Sequence, residues 1–95
     1  MLIQQKENGN KGKFFIEKDG EELAEMTYTL AAPDIMTIDH TEVSDDLRGK
    51  KIGYQLVQRG ADYAREKHFK IIPLCLFASA LFKKKPAEFA DVLKT

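Results

Sequence analysis

Between Val43 and Leu56 the chain reads Val-Ser-Asp-Asp-Leu-Arg-Gly-Lys-Lys-Ile-Gly-Tyr-Gln-Leu, and this stretch joins two segments of different period. Upstream, Ile35 to Val43 alternates. Met36, Ile38, His40 and Glu42 share one parity, and Ile35, Thr37, Asp39, Thr41 and Val43 share the other, which predicts a strand. Downstream, Ile52, Leu56, Val57, Gly60, Ala61 and Ala64 recur at three- and four-residue steps, which predicts a helix from about Lys50 to Lys67. A strand that enters a helix through a basic, glycine-bearing turn makes an anion site. The first N–H groups of a helix have no internal partner, and the helix dipole adds partial positive charge there. Arg48, Lys50 and Lys51 bring full charges to the same turn, and Gly49 and Gly53, lacking a Cβ, let backbone and ligand approach closely. No Gly-Lys-Ser/Thr follows, so the turn is not a mononucleotide P-loop.

The segments around this stretch are short and alternate in character. Leu2 to Lys6 and Lys13 to Glu17 read as strands separated by the turn cluster Asn8-Gly9-Asn10-Lys11-Gly12. Asp19-Gly20 marks a hairpin into a third strand, Glu22 to Leu30, with Ala24, Met26, Tyr28 and Leu30 on one face. Ala32-Pro33-Asp34 breaks that strand before Ile35. After the long helix, Ile71 to Cys75 is a nearly all-apolar run, expected to be a buried strand pairing parallel to an earlier one after the helical crossover. Proline at position 73 implies that this pairing stops or bulges there, opening a gap beside the phosphate turn. Phe77 to Lys85 is expected to be helical with Leu81 and Phe82 inward, Pro86 interrupts it, and Ala87 to Leu93 forms a last turn or two. The small residues Gly60, Ala61 and Ala64 suggest close packing of the long helix on the sheet. The fold class is therefore α+β: an antiparallel four-stranded meander, a helix, a parallel-paired strand and a C-terminal helix, β-β-β-β-α-β-α.

Ninety-five residues, of which 43% are hydrophobic, predict one domain (residues 1–95) with one modest core. Fifteen basic and fifteen acidic side chains cancel, which argues against a general nucleic-acid binder. The single cysteine, Cys75, excludes an internal disulfide and fits a cytoplasmic protein. No apolar run is long enough for a membrane span, and no secretory signal pattern opens the chain. No metal site is expected. An open sheet edge leaves a monomer or a weak homodimer as the expected state.

Val43-x-x-x-Leu47-Arg48-Gly49-x-x-Ile52-Gly53-x-x-Leu56 resembles the pyrophosphate-binding motif of the GNAT N-acetyltransferase superfamily, Arg/Gln-x-x-Gly-x-Gly/Ala. Arg48 and Gly53 match its ends, and Lys51 stands where the motif has its middle glycine. The strand Asp39-His40-Thr41-Glu42-Val43 and the segment Pro73-Leu74-Cys75-Leu76-Phe77-Ala78 resemble a narrower group, the very small GNAT-like proteins of about a hundred residues, many of which have proline after the cysteine where this chain has Leu76. The resemblance implies acetyl-CoA as cofactor. Its pyrophosphate would lie on the turn comprising Arg48, Gly49, Lys50, Lys51, Ile52 and Gly53, and its pantetheine arm between the strand ending at Val43 and the strand ending at Cys75. It implies acetyl transfer to an amine acceptor, protein or small molecule, whose identity the sequence leaves open.

Three residues are candidate catalysts, each with a structural alternative. Cys75 is either a nucleophile or acid at the acetyl position or a small buried hydrophobe. His40 is either a base or a partner that lowers the thiol pKa, or a satisfied strand histidine. Glu42 is either a base or an orienter of His40, or a solvated carboxylate. Lys83, Lys84 and Lys85 read as a solvated face, with contact to the 3′-phosphate of coenzyme A or to an acidic partner as the alternative. A non-catalytic coenzyme A or acyl-CoA binding module is the competing function, because the chain lacks the N-terminal helices of full-size GNAT enzymes.

Overall fold

Alternation and turn chemistry set up five strands in one sheet. In the computed structural model, which describes residues 2–95, they lie side by side in chain order: β1 (Gln4–Asn8), β2 (Lys11–Lys18), β3 (Glu21–Ala32), β4 (Ile35–Val43) and β5 (Lys70–Pro73). The first four pair antiparallel, and β5 returns parallel to β4 after helix α1 (Ile52–Lys67), giving the mixed α+β sheet expected. Helix α2 (Leu76–Lys84) follows, and Pro86, which has no N–H to lose, opens the short α3 (Pro86–Phe89) at its first turn.

Helix α1 packs on the face carrying Phe14, Met26, Tyr28, Met36 and Ile38, all essentially buried. A Cβ on Gly60 would lie 2.7 Å from Met26 Cε, and Ala61 and Ala64 are fully buried, so the small residues do set a close helix–sheet approach. On the opposite face the buried side chain is Phe15, overlaid by the ammonium groups of Lys13 at 5.0 Å and Lys6 at 5.9 Å from its centroid. Arg65 ties the C-terminal segment to α1, its Nε donating to Asp91 at 2.7 Å and another guanidinium N–H to the Glu88 carbonyl at 2.6 Å. No helix among the described residues is long and apolar enough to cross a membrane.

Strand β4 departs from simple alternation. Tyr28 pairs with Ile38 but Thr27 pairs with His40, so Asp39 is an extra residue, a β-bulge. Its carboxylate is held by the hydroxyls of Thr29 at 2.6 Å and Thr37 at 2.7 Å. The bulge flips the side-chain faces beyond it. Thr41 and Val43 now sit opposite Met26 and Ala24 on the helix face, while His40 and Glu42 sit opposite Thr27 and Glu25 on the other. His40 therefore does not share a face with Met36 and Ile38, as uninterrupted alternation implies. Two other expectations shift. Gly12 lies inside β2 rather than in the preceding turn, and Cys75 lies beyond β5 as the N-cap of α2 rather than at a strand end.

Candidate functional site

The sheet forks at Pro73. The β4–β5 pairing runs from Ile35–Lys70 to Ile38–Pro73 and stops, because proline offers no N–H. The N–H groups of Leu74 and Cys75 both turn back to the Ile38 carbonyl, at 3.0 Å each. Beyond this point β4 continues to Val43 without β5 beside it.

The fork opens onto a cavity of about 690 Å³. Thr41 and Val43 form its β4 wall, Leu47, Arg48, Gly49 and Lys51 with the start of α1 its floor, and Phe77 with the end of α2 the remaining wall. Leu47, only 5% exposed, anchors the turn in the core, and the hydroxyl of Ser44 caps it by accepting from the Asp46 N–H. Gly49 (φ 80°) and Lys51 (φ 57°) both take the left-handed conformation. Lys51 is the N-cap of α1 and gives it no side-chain cap. Gln55 donates to the Lys51 carbonyl, and among the described residues no main-chain hydrogen bond is made by the N–H groups of Ile52, Gly53 or Tyr54. These three residues, at the positive end of a helix, line the cavity.

The charge around the cavity is one-sided. Arg48, Lys51, Lys84 and Lys85 line it, and among the described residues no carboxylate does, although the chain as a whole is neutral. Gly53 has a packing role as well, since a Cβ there would come within 2.7 Å of the Phe77 ring. Of the turn residues singled out in the sequence, Val43, Arg48, Gly49, Lys51, Ile52 and Gly53 converge on this cavity and Lys50 does not line it. Arg48 holds Asp45 at 2.9 Å.

Cys75 sits at the fork, its Sγ 3.5 Å from Thr41 Oγ1. Burial alone would push the thiol up. The first-turn N–H groups of Ala78 and Phe77, with the Thr41 hydroxyl and its backbone, outweigh that and hold it below the ordinary thiol range. Thr41, not His40, is the neighbour that β4 brings to the sulfur. His40 Nε2 lies 3.4 Å from Glu42 Oε2 on the outer face, with the two side chains 57% and 74% exposed. The parity switch after Ile38, where Val43 is apolar on the wrong phase, is the signal in the sequence that could have found Thr41.

The family described as GCN5-related N-acetyl-transferase matches residues 13–92. The chain belongs to this family. It is an acyl-CoA-dependent N-acetyltransferase. A GCN5-like candidate N-acetyltransferase from Staphylococcus aureus, solved in solution, is 34% identical with a TM-score of 0.71, over 96% of this chain and 87% of that one. The fold extends to larger GCN5-related enzymes. The ribosomal-protein-alanine N-acetyltransferase of Brucella melitensis biovar Abortus 2308 is similar at 20% identity and a TM-score of 0.66, over 81% of this chain and 62% of that one. A GNAT family acetyltransferase from Elizabethkingia anophelis, crystallised with acetyl-CoA bound, is similar at 14% identity and a TM-score of 0.62, over 81% of this chain and 53% of that one. The chain thus spans half to two thirds of these larger relatives. No functionally curated protein matches the sequence.

Lys51, which stands where the motif that the turn resembles has glycine, takes the left-handed conformation that favours glycine. A side chain there carries a steric cost of about 1 kcal/mol. Lys51→Gly is expected to stabilise the protein by about 0.5 kcal/mol, after the greater freedom of glycine in the unfolded chain is subtracted. Thermal melting followed by circular dichroism checks this: the midpoint should rise by a few degrees, and a fall would show that Lys51 is unstrained.

Proposed function

We propose that this N-acetyltransferase binds acetyl-CoA in the forked cavity and transfers acetyl to an amine, the described fold acting as one minimal domain. The observation that carries the reading is the fork itself: a single cavity runs from Thr41, beside the Cys75 thiol, to the unpartnered N–H groups of α1. The residues fit the cofactor. Donors from Gly49 to Gly53, with Arg48 and Lys51, suit a pyrophosphate, and the β4 edge from Thr41 to Val43 offers main-chain groups to an amide-bearing arm. The acetyl donor found in the Elizabethkingia relative has this chemistry. The Cys75 thiolate is the proposed nucleophile. It attacks the thioester carbonyl, coenzyme A leaves as the thiolate, and an amine then displaces the acetyl group from sulfur while losing its proton. His40 and Glu42 lie on the outer face of β4 beyond the fork, where they can take that proton from an amine approaching from this side. Direct attack by the amine on the cofactor is the competing route. A thiol kept free fits a reducing cytoplasm.

Calorimetric titration with acetyl-CoA, desulfo-CoA and ATP tests the reading. The expected result is binding of both coenzyme A compounds, weakened about tenfold in Arg48→Ala, with ATP much weaker. Failure of every coenzyme A compound to bind would overturn it.

A further inference from the structure

The forked cavity holds more positive charge than a pyrophosphate can use. Arg48 and Lys51 belong to the turn, beside the open N–H groups of α1. Lys84 and Lys85 come from the opposite wall, at the end of α2, and no carboxylate lines the space between. Lysines at the C-terminal end of a helix gain from its dipole wherever they point. That general effect applies to Lys83, Lys84 and Lys85 alike, yet only the last two line the cavity. Among the described residues neither lies within 4.0 Å of a carboxylate oxygen. Lys85 is directed inward: its ammonium lies over the Tyr54 ring, 5.1 Å from the centroid. Tyr54 is itself fixed, its hydroxyl donating to Glu88, whose other oxygen accepts from Gln58 at 2.8 Å. Glu88, held below its ordinary carboxyl range by the bonds from Tyr54 and Gln58 and then by the charge of Lys85, is therefore already engaged from two sides.

We infer that Lys84 and Lys85 form a second phosphate subsite, separate from the turn, that takes the 3′-phosphate of coenzyme A. A phosphate monoester carries close to two negative charges at neutral pH, which matches two unpaired ammonium groups on one wall. Sequence alone read these lysines first as a solvated face, with a 3′-phosphate contact as an alternative. The fold gives two of them a common anionic target and makes them the residues by which the protein distinguishes coenzyme A from its 3′-dephospho form. The inference rests on acetyl-CoA being the ligand of this cavity.

Titrations of the wild-type protein with acetyl-CoA and with acetyl-3′-dephospho-CoA, at low and high salt, separate the two claims. The expected result is about tenfold tighter binding of acetyl-CoA at low salt, narrowing as salt screens exposed charges. Lys84→Met and Lys85→Met should each reduce that ratio by weakening acetyl-CoA and leaving the dephospho form unchanged. Lys83→Met should preserve it, and melting curves confirm that each variant is folded. Equal binding of the two compounds, within about twofold, would overturn the subsite while leaving the cofactor reading intact. Binding of neither compound would overturn the cofactor reading, and the subsite with it.

Discussion

Gly12→Ala is expected to destabilise the protein by about 3 kcal/mol, a large share of the 5–15 kcal/mol that holds a typical domain together. Gly12 lies within β2 directly opposite Tyr28 on β3, and a Cβ there would stand 2.4 Å from both Cζ and Oη of the tyrosine. The ring cannot step aside. It is 1% exposed and packs against Phe14 at 5.4 Å and Tyr63 at 5.8 Å between centroids. Its hydroxyl donates to Glu7 at 2.7 Å and accepts from Gln5 at 2.8 Å, and Tyr63 donates to the same Glu7 oxygen at 2.8 Å. One methyl group therefore forces a choice between displacing β2 and breaking the bonds that join β1 to α1. Burial, with the hydrogen bond to Glu7 after it, pushes the Tyr28 phenol far above its ordinary range, as expected for a hydroxyl kept neutral in this setting. Thermal unfolding should show a loss of roughly 15 °C for a chain of this size. The double variant Gly12→Ala/Tyr28→Leu should be less destabilised than the sum of its singles, because removing the ring removes the clash. A midpoint unchanged in Gly12→Ala, or strict additivity in the double, would show that β2 shifts without cost.

The same glycine shows where sequence reasoning loses its hold. Asn8 to Gly12 has turn composition, and a turn does form there, but what bars a side chain at Gly12 is a ring sixteen positions away rather than its own backbone. Local signals carried the architecture well. Alternation in β3, the Asp-Gly hairpin at 19–20, the three- and four-residue spacing of α1 and the proline at 73 all report on a residue's immediate neighbours, and each element lies where they point. The turn from Arg48 to Gly53 was legible as a helix start for the same reason, since such a turn is built from consecutive residues. What could not be read locally is what depends on a partner strand or a distant helix. The bulge at Asp39 exists only relative to β3, and it moves His40 and Glu42 to the outer face while turning Thr41 inward. Lys84 and Lys85 line the cavity from α2, a helix whose Phe77 packs against the bare Gly53 backbone far away in sequence.

Cys75→Ala is expected to lower acetyl transfer by at least about a hundredfold, with little change in acetyl-CoA affinity, because the proposed nucleophile is removed while the phosphate contacts remain. The thiol stands at the fork, held by Thr41 and by the first N–H groups of α2, and these bonds favour the thiolate. The sign of the pH effect follows. A thiol held below its ordinary range is deprotonated at lower pH than a free cysteine, so iodoacetamide should alkylate Cys75 in the native protein at a pH where the urea-unfolded chain reacts slowly. Thr41→Val removes one of the bonds that stabilise the thiolate, so the native profile should move to higher pH. Incubation with acetyl-CoA alone, followed by mass spectrometry of the intact protein and its peptides, should find one acetyl group on Cys75, absent in Cys75→Ala. A merely structural cysteine would give a different pattern: Cys75→Ala would keep full turnover, no acetyl-enzyme would form, and the loss would fall instead on His40→Ala or Glu42→Gln. In that case the amine attacks the thioester directly and the outer face of β4 supplies the base. The two mechanisms part at Cys75, the N-cap of α2: only double displacement loses transfer in Cys75→Ala and leaves an acetyl group on the sulfur, and the second readout needs no acceptor.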